Sequence, residues 1–345
     1  MVRKKGRVTL ANQKLIVHKL SENAMAQWIL SRLFEVKDQP KPRFAFQGTV
    51  NWMKALSVLV NDQSFSDDAI RQHFEMVQRR PVNSDADAMV FENILMAFHS
   101  HASLVRFNED VTHRYDICRS AIISWYYSIY FCCSAMVTAA SGSSQESHTA
   151  TAKVWNSDIV DNGLAMSPFS LSTSSLVTVF VENEISELRQ GNTHDLNVYA
   201  ETREEAWGAA VSYLKGTAEY EKWRVEERVK GSSEFKKLGV NNFRTKAARE
   251  LRDKHLEKNK VNFLIQAFRY RGKANYRDSV FLSYGNNQTE KIEEFCKDLR
   301  EVSEAFQRMA AFYLSKRVER DSWSIFIDDL EENSRLSIGV DHLRV

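Results

Sequence analysis

The sequence predicts an all-α protein, and three observations carry that prediction. Glycine and proline are scarce, at 12 and 4 in 345 residues, well under half the roughly 12% that the pair makes in ordinary chains. These are the commonest turn-formers, so a fold with few tight corners follows. Hydrophobic residues make 43% of the chain and charged residues 27%. That mixture suits amphipathic helices and excludes collagen-like, low-complexity and many-turned all-β classes. No proline stands between Val82 and Ser167, which leaves room for long unbroken helices. The mean hydropathy of −0.42 excludes a polytopic membrane protein. The length suits one large domain or two modest ones, with a core of useful size.

In chain order, the first expected helix covers about Leu10 to Phe34 and ends before Pro40 and Pro42. Ser66 followed by Asp67 and Asp68 reads as an N-cap with an acidic first turn. Residues 84–88, Ser-Asp-Ala-Asp-Ala, read as another start after Pro81. A long helix is expected from near Asp110 to Ala140, closed by Ser141-Gly142-Ser143-Ser144, with a second from about Gln145 to Ile159. Residues 161–198 read as an irregular insertion, in which Leu-Val-Thr-Val-Phe-Val at 176–181 is β-rich and reads as a strand or short hairpin. Helix resumes near Thr202, with Glu204 and Glu205 in its first turn. It continues through a charged stretch broken near Gly231 and Gly239. Helices over Val261–Tyr284, Gln288–Val318 and Asp321–Asn333 complete the chain.

The run from Ser120 to Gln145 contains no charged residue and so invites reading as a membrane span. Ser120, Ser124, Ser128, Ser134, Thr138 and Ser141 within it, and Trp125, Tyr126, Tyr127 and Tyr130 in its middle, favour a buried core helix. Ser120, Ser124, Ser128 and Cys132 recur every four residues, which makes a small-residue column where another helix can approach. The basic N-terminus lacks a signal-peptide core, because Gln13, Lys14, His18 and Lys19 interrupt it. Cys118, Cys132, Cys133 and Cys296 form no CxxC pair, so neither a disulfide framework nor a zinc site is expected. A reduced cytoplasmic setting fits that usage, with no membrane association.

Charge is spread unevenly. Between Lys215 and Arg277 there are 18 basic against 8 acidic residues, a local net of +10 in a chain of net +2. Between Asn287 and Ser334 there are 7 basic against 12 acidic. The asymmetry suits a polyanion-binding face. It equally suits a basic helix packed on an acidic one, or a solvated face.

No Walker loop, GxGxxG, GxSxG or HExxH is present. No metal and no cofactor is expected, since the histidines are scattered. The basic residues Arg269, Arg271, Lys273 and Arg277 interleave with Tyr270, Tyr276 and Tyr284, which combines phosphate charge with stacking surface as a single-stranded nucleic-acid contact requires.

Two segments together resemble the HEPN superfamily. The first is Arg119-Ser-Ala-Ile-Ile-Ser-Trp-Tyr-Tyr-Ser-Ile-Tyr-Phe-Cys-Cys-Ser-Ala-Met136, followed by a glycine and Ser147-His148. It is similar to a HEPN opening helix pair with paired tyrosines and a glycine loop. The second is Arg269-Tyr-Arg-Gly-Lys-Ala-Asn-Tyr-Arg-Asp-Ser-Val-Phe-Leu-Ser-Tyr284. Within it, Arg271-Gly-Lys-Ala274-Asn-Tyr276 is similar to the R-x-x-A-x-Y element of HEPN proteins that pair with nucleotidyltransferases. Laid the other way, Arg277 through Tyr284 looks like the R-x4-H-x-Y motif of HEPN ribonucleases, except that Leu282 stands where that family has histidine. The resemblance covers about 110 residues, 110–160 and 261–320.

What the resemblance implies is a HEPN-like helical bundle of 109–160 and 261–335. An N-terminal helical region, 1–108, would precede it, and a charged insertion, 161–260, would interrupt it. It implies a homodimer, a metal-independent endoribonuclease or RNA- or nucleotide-binding protein, and a bacterial antiviral defence or toxin–antitoxin setting with a partner protein. Arg277 and Tyr284, seven residues apart on one helical face, would act on phosphate together with Tyr270 and Lys273. His148 or His113 would supply the missing base. The competing class is a non-catalytic scaffold or interaction subunit, which Leu282 favours.

Overall fold

The computed structural model describes residues 45–109, 114–273, Asn275, Leu282 and 289–345. The protein is about 72% helical, with twelve helices and no strand or sheet among the described residues. The all-α expectation therefore holds. A π-helical turn, Phe46–Asn51, runs straight into α1, Trp52–Val60. Then come α2, Asp67–His73, α3, Ser84–Glu109, α4, Arg114–Ser141, and α5, His148–Val154, which ends in a π-helical turn, Trp155–Val160. Next are α6, Thr178–Arg189, α7, Arg203–Gly231, α8, Ser233–Lys237, and α9, Lys246–Leu256. The last three are α10, Phe263–Lys273, α11, Thr289–Arg317, and α12, Ser322–Asn333. The expected helix over residues 10–34 lies outside the described residues.

The caps form where the sequence places them. Ser66 Oγ accepts from the amide of Ala69 at the start of α2. Asn83 Oδ1 accepts from Ala86 at the start of α3, 3.1 Å away. Thr202 and Glu205 make a reciprocal capping box on α7. Each removes one or two amides from the set a helix start leaves unpaired, worth about 1 kcal/mol apiece. The long helix α4 ends at Gly142, whose φ of +79° suits a residue without a Cβ.

Helix α4 is the centre of the larger core. By length and composition Tyr115–Ser141 could cross a membrane, but 72% of its apolar window is buried inside the protein. It lies between α3 and α11, which bring Ile94, Phe98 and Leu104 from one side and Val302, Phe306 and Met309 from the other. The same core takes in residues of α1, α10, α12 and the C-terminal segment, so residues 45–107 share it with 115–160 and 263–343. At its heart Trp52 stacks on Tyr213 at 4.0 Å, and Trp125 and Tyr270 meet edge-on at 5.2 Å. A smaller core joins α6, α7 and α9 to Ala55 and Leu59 of α1.

Two expectations are corrected. Residues 176–181 form no strand: Thr178–Val181 open α6. Val181, Ile185 and Leu188 recur at helical spacing and pack into the smaller core, and that burial overrides the β preference of Val-Thr-Val-Phe-Val. The small-residue column is a packing groove only toward its C-terminal end. Ser120 is exposed and Ser124 half-buried, whereas Ser128 and Cys132 are fully buried.

Candidate functional site

The site grows from three helices whose positions are fixed by side-chain bonds. Ser147 Oγ caps α5 on Ala150, which puts His148 at the helix's first position. Asn262 does two jobs: its Oδ1 caps Ile265 at the start of α10, and its Nδ2 donates to Ala152 O of α5 at 2.7 Å. Tyr270 Oη donates to Thr49 O at 3.0 Å and seats the middle of α10 in the core. With α10 pinned at both places, its last turn brings Arg271 against α4.

There Arg271 meets the paired tyrosines. Its guanidinium lies 4.7 Å from the ring centroid of Tyr126, 5.7 Å from Tyr127 and 5.1 Å from Phe268. Its Nη1 donates to Tyr127 Oη at 3.2 Å, and its Nε is buried with no partner. Among the described residues no carboxylate pairs with it. His148 closes the other side: Tyr126 Oη stands 2.8 Å from its Nδ1, and its ring is 4.2 Å from Tyr130 and 5.7 Å from Phe268. Tyr126 is buried, His148, Arg271 and Tyr130 are half-buried, and Phe268 is exposed. The result is an aromatic bed with one cation and one imidazole at its surface.

The electrostatics follow from that burial. Desolvation pushes the Tyr126 hydroxyl well above the ordinary phenol range, so it stays protonated and able to donate. Desolvation, then the Arg271 charge, holds His148 below the ordinary imidazole value of 6.5. Taking Tyr126 as the donor assigns the imidazole proton to Nε2. A neutral imidazole beside an arginine with free donors can take a proton while the arginine holds an anion as a bidentate partner. A metal reading has no counterpart here: no three His, Cys, Asp or Glu side chains are grouped to hold one among the described residues.

Of the residues singled out in the sequence, His148 and Arg271 are brought together. Arg269 is not with them: it donates to Thr217 at 2.9 Å and lies 4.5 Å over the ring of Tyr220 on α7. Lys273 places its ammonium against Gly48, where an added Cβ would stand 2.5 Å from Nζ. Tyr270 is a core residue, which removes it from any ligand-facing surface. Arg277, Tyr284, Tyr276 and His113 lie outside the described residues. Leu282 is 1% exposed and belongs to the main core. Its place is one where an apolar side chain is stabilising and an ionisable one is costly.

Phe268 was missed in the sequence, though its spacing of three from Arg271 marks a shared helical face. Two clefts lie elsewhere. One of about 540 Å³ is lined by His73, Asp158, Tyr313 and Arg317, and one of about 360 Å³ by Glu184, Glu187 and Trp207. In the first, Arg317 is occupied by the carbonyls of Ala139, Ala140 and Gln78.

No protein-family model matches the chain, nor does any curated protein or solved structure.

Proposed function

We propose that the chain binds a phosphate of RNA or of a nucleotide at Arg271, with a base laid on the surrounding aromatic rings and His148 beside the phosphate. The observation that carries this reading is the state of Arg271: stacked on Tyr126 and Phe268, bonded to one neutral hydroxyl, and without a carboxylate among the described residues. A guanidinium with five donors and one neutral hydroxyl partner keeps the capacity to hold an anion. In this reading the R-x-x-A-x-Y alignment on Arg271 is the relevant half of the HEPN resemblance. The setting that resemblance implies, a cytoplasmic homodimer in bacterial antiviral defence or a toxin–antitoxin pair, comes with it as part of the proposal.

Binding without rapid cleavage is the form we favour. Leu282 is built into the core, so the family's base has no substitute at that position, and His148 would have to serve in its place. The test is a titration with RNA and with a mononucleotide. Arg271→Ala should weaken both by about one to two orders of magnitude, as loss of a charge-assisted hydrogen bond of roughly 1.5–3 kcal/mol requires. Affinity should rise as pH falls below about 6.5, since a bound phosphate favours the imidazolium. His148→Gln should remove that rise. Unchanged affinity in Arg271→Ala sinks the reading and leaves the scaffold alternative.

A further inference from the structure

The two arginines of α10 that sequence reasoning grouped together are separated by the helix itself. Arg269 and Arg271 are two residues apart, which on an α-helix is on the order of 200° of rotation. Arg271 emerges toward α4 and α5, and Arg269 toward α7. Phe268, 37% exposed, stands between them on the outer face of α10.

The Arg269 flank repeats the chemistry of the Arg271 flank with different residues. Arg269 lies over Tyr220 and bonds a single neutral hydroxyl, that of Thr217. A guanidinium has five donors, and among the described residues no carboxylate takes any of Arg269's. Tyr220 also has Arg224 6.0 Å from its centroid, but that arginine is paired to Glu221 at 3.0 Å and leaves Arg269 as the cation with open donors. The Trp223 ring lies 5.8 Å from that of Tyr220, and the two side chains are 55% and 39% exposed. Exposed aromatic rings beside an arginine with open donors, Arg269, fit a ligand that has both flat apolar faces and negative charge. An acidic peptide would use the arginines but not the rings. A mononucleotide would reach one flank only, because the flanks stand roughly a helix diameter, ~10–12 Å, apart.

We propose that the ligand of the Arg271 site is a single-stranded oligonucleotide that crosses α10, its next phosphates held by Arg269 and a base stacked on Trp223 and Tyr220. This rests on the reading of Arg271 as a phosphate ligand and extends it from a nucleotide to a strand.

The test uses the full chain, a labelled oligouridylate about ten nucleotides long and uridine monophosphate as the one-flank probe. The oligomer should bind more tightly than the monophosphate. Trp223→Ala should weaken the oligomer about tenfold and leave the monophosphate unchanged. Arg269→Gln should lower the slope of log affinity against log salt for the oligomer by about 0.7, the loss of one phosphate contact. Arg271→Ala should weaken both probes. If Trp223→Ala and Arg269→Gln leave the oligomer unchanged while Arg271→Ala weakens both probes, the strand proposal fails and the nucleotide site stands. If Arg271→Ala changes neither probe, or neither probe binds, both fall together.

Discussion

Helix α4 carries two polar clusters, each containing a histidine held neutral, and they differ in whether their hydrogen bonds close. Toward α11, Ser128 meets Ser303 at 2.7 Å and accepts from Gln307 at 2.8 Å. Ser303 meets His101 Nδ1 at 2.9 Å, and Gln307 Oε1 meets His342 Nε2 at 2.8 Å. These side chains answer one another across α3, α4, α11 and the C-terminal segment. Toward α10, Tyr126 and Tyr127 meet His148 and Arg271, and there the bonding stops with arginine donors unspent. The first cluster rigidifies a core. The second is the same kind of chemistry left open at a surface, and openness distinguishes a candidate site from a scaffold.

The comparison breaks most sharply by cutting the closed network. Gln307→Leu leaves Ser128 and His342 short of a partner inside the protein. At roughly 1–3 kcal/mol for each of the two groups, the expected loss is about 2–6 kcal/mol. Chemical denaturation measures it. A loss under ~1 kcal/mol would show that the network is not closed as described.

A smaller effect comes from acid. Burial, with Arg308 and Arg300 nearby, pushes His342 down to about 4, and burial holds His101 well below 6.5. For a depressed imidazole, the folded and unfolded chains are both neutral above about 6.5 and the stabilisation is complete. Below that the unfolded chain takes the proton first, and stability is lost as pH falls toward 4. Asp298 tilts the same window the other way, since burial lifts its carboxyl to about 7. The informative quantity is therefore a difference. Between pH 7 and 4.5 the wild type should lose about 1–3 kcal/mol more than His342→Gln. Parallel curves would remove His342 from the network.

Much of this was readable in advance, and the reasons are local. Ser66 and Thr202 cap their helices because short polar side chains before an acidic turn have few other uses there. The charge-free run at 120–145 became the central helix because its aromatic residues needed neighbours on every side. The misreadings arose where tertiary context decides. The β-branched pattern over 176–181 carries a strand signal, yet Val181 and Ile185 had a helical partner in α7. Arg271 and Arg277 are equivalent by motif; the structure brings Arg271 against α4, and Arg277 lies outside the described residues. Tyr220 and Trp223 are two aromatic residues in a stretch read only for its charge, and their exposure is visible only in the folded chain.

The central claim is that the two clusters on α4 divide stability from binding. It is tested most directly by measuring the melting temperature and oligouridylate affinity of Arg271→Ala alongside Gln307→Leu. Arg271 gives up cation–π contacts worth about 0.5–2 kcal/mol at a half-buried site, so its variant should melt within a few degrees of wild type and bind at least tenfold more weakly. Gln307→Leu should melt much earlier and, well below its transition, bind as wild type does. An Arg271→Ala protein that melts as early as Gln307→Leu, or one that folds normally and binds RNA with unchanged affinity, would contradict the account.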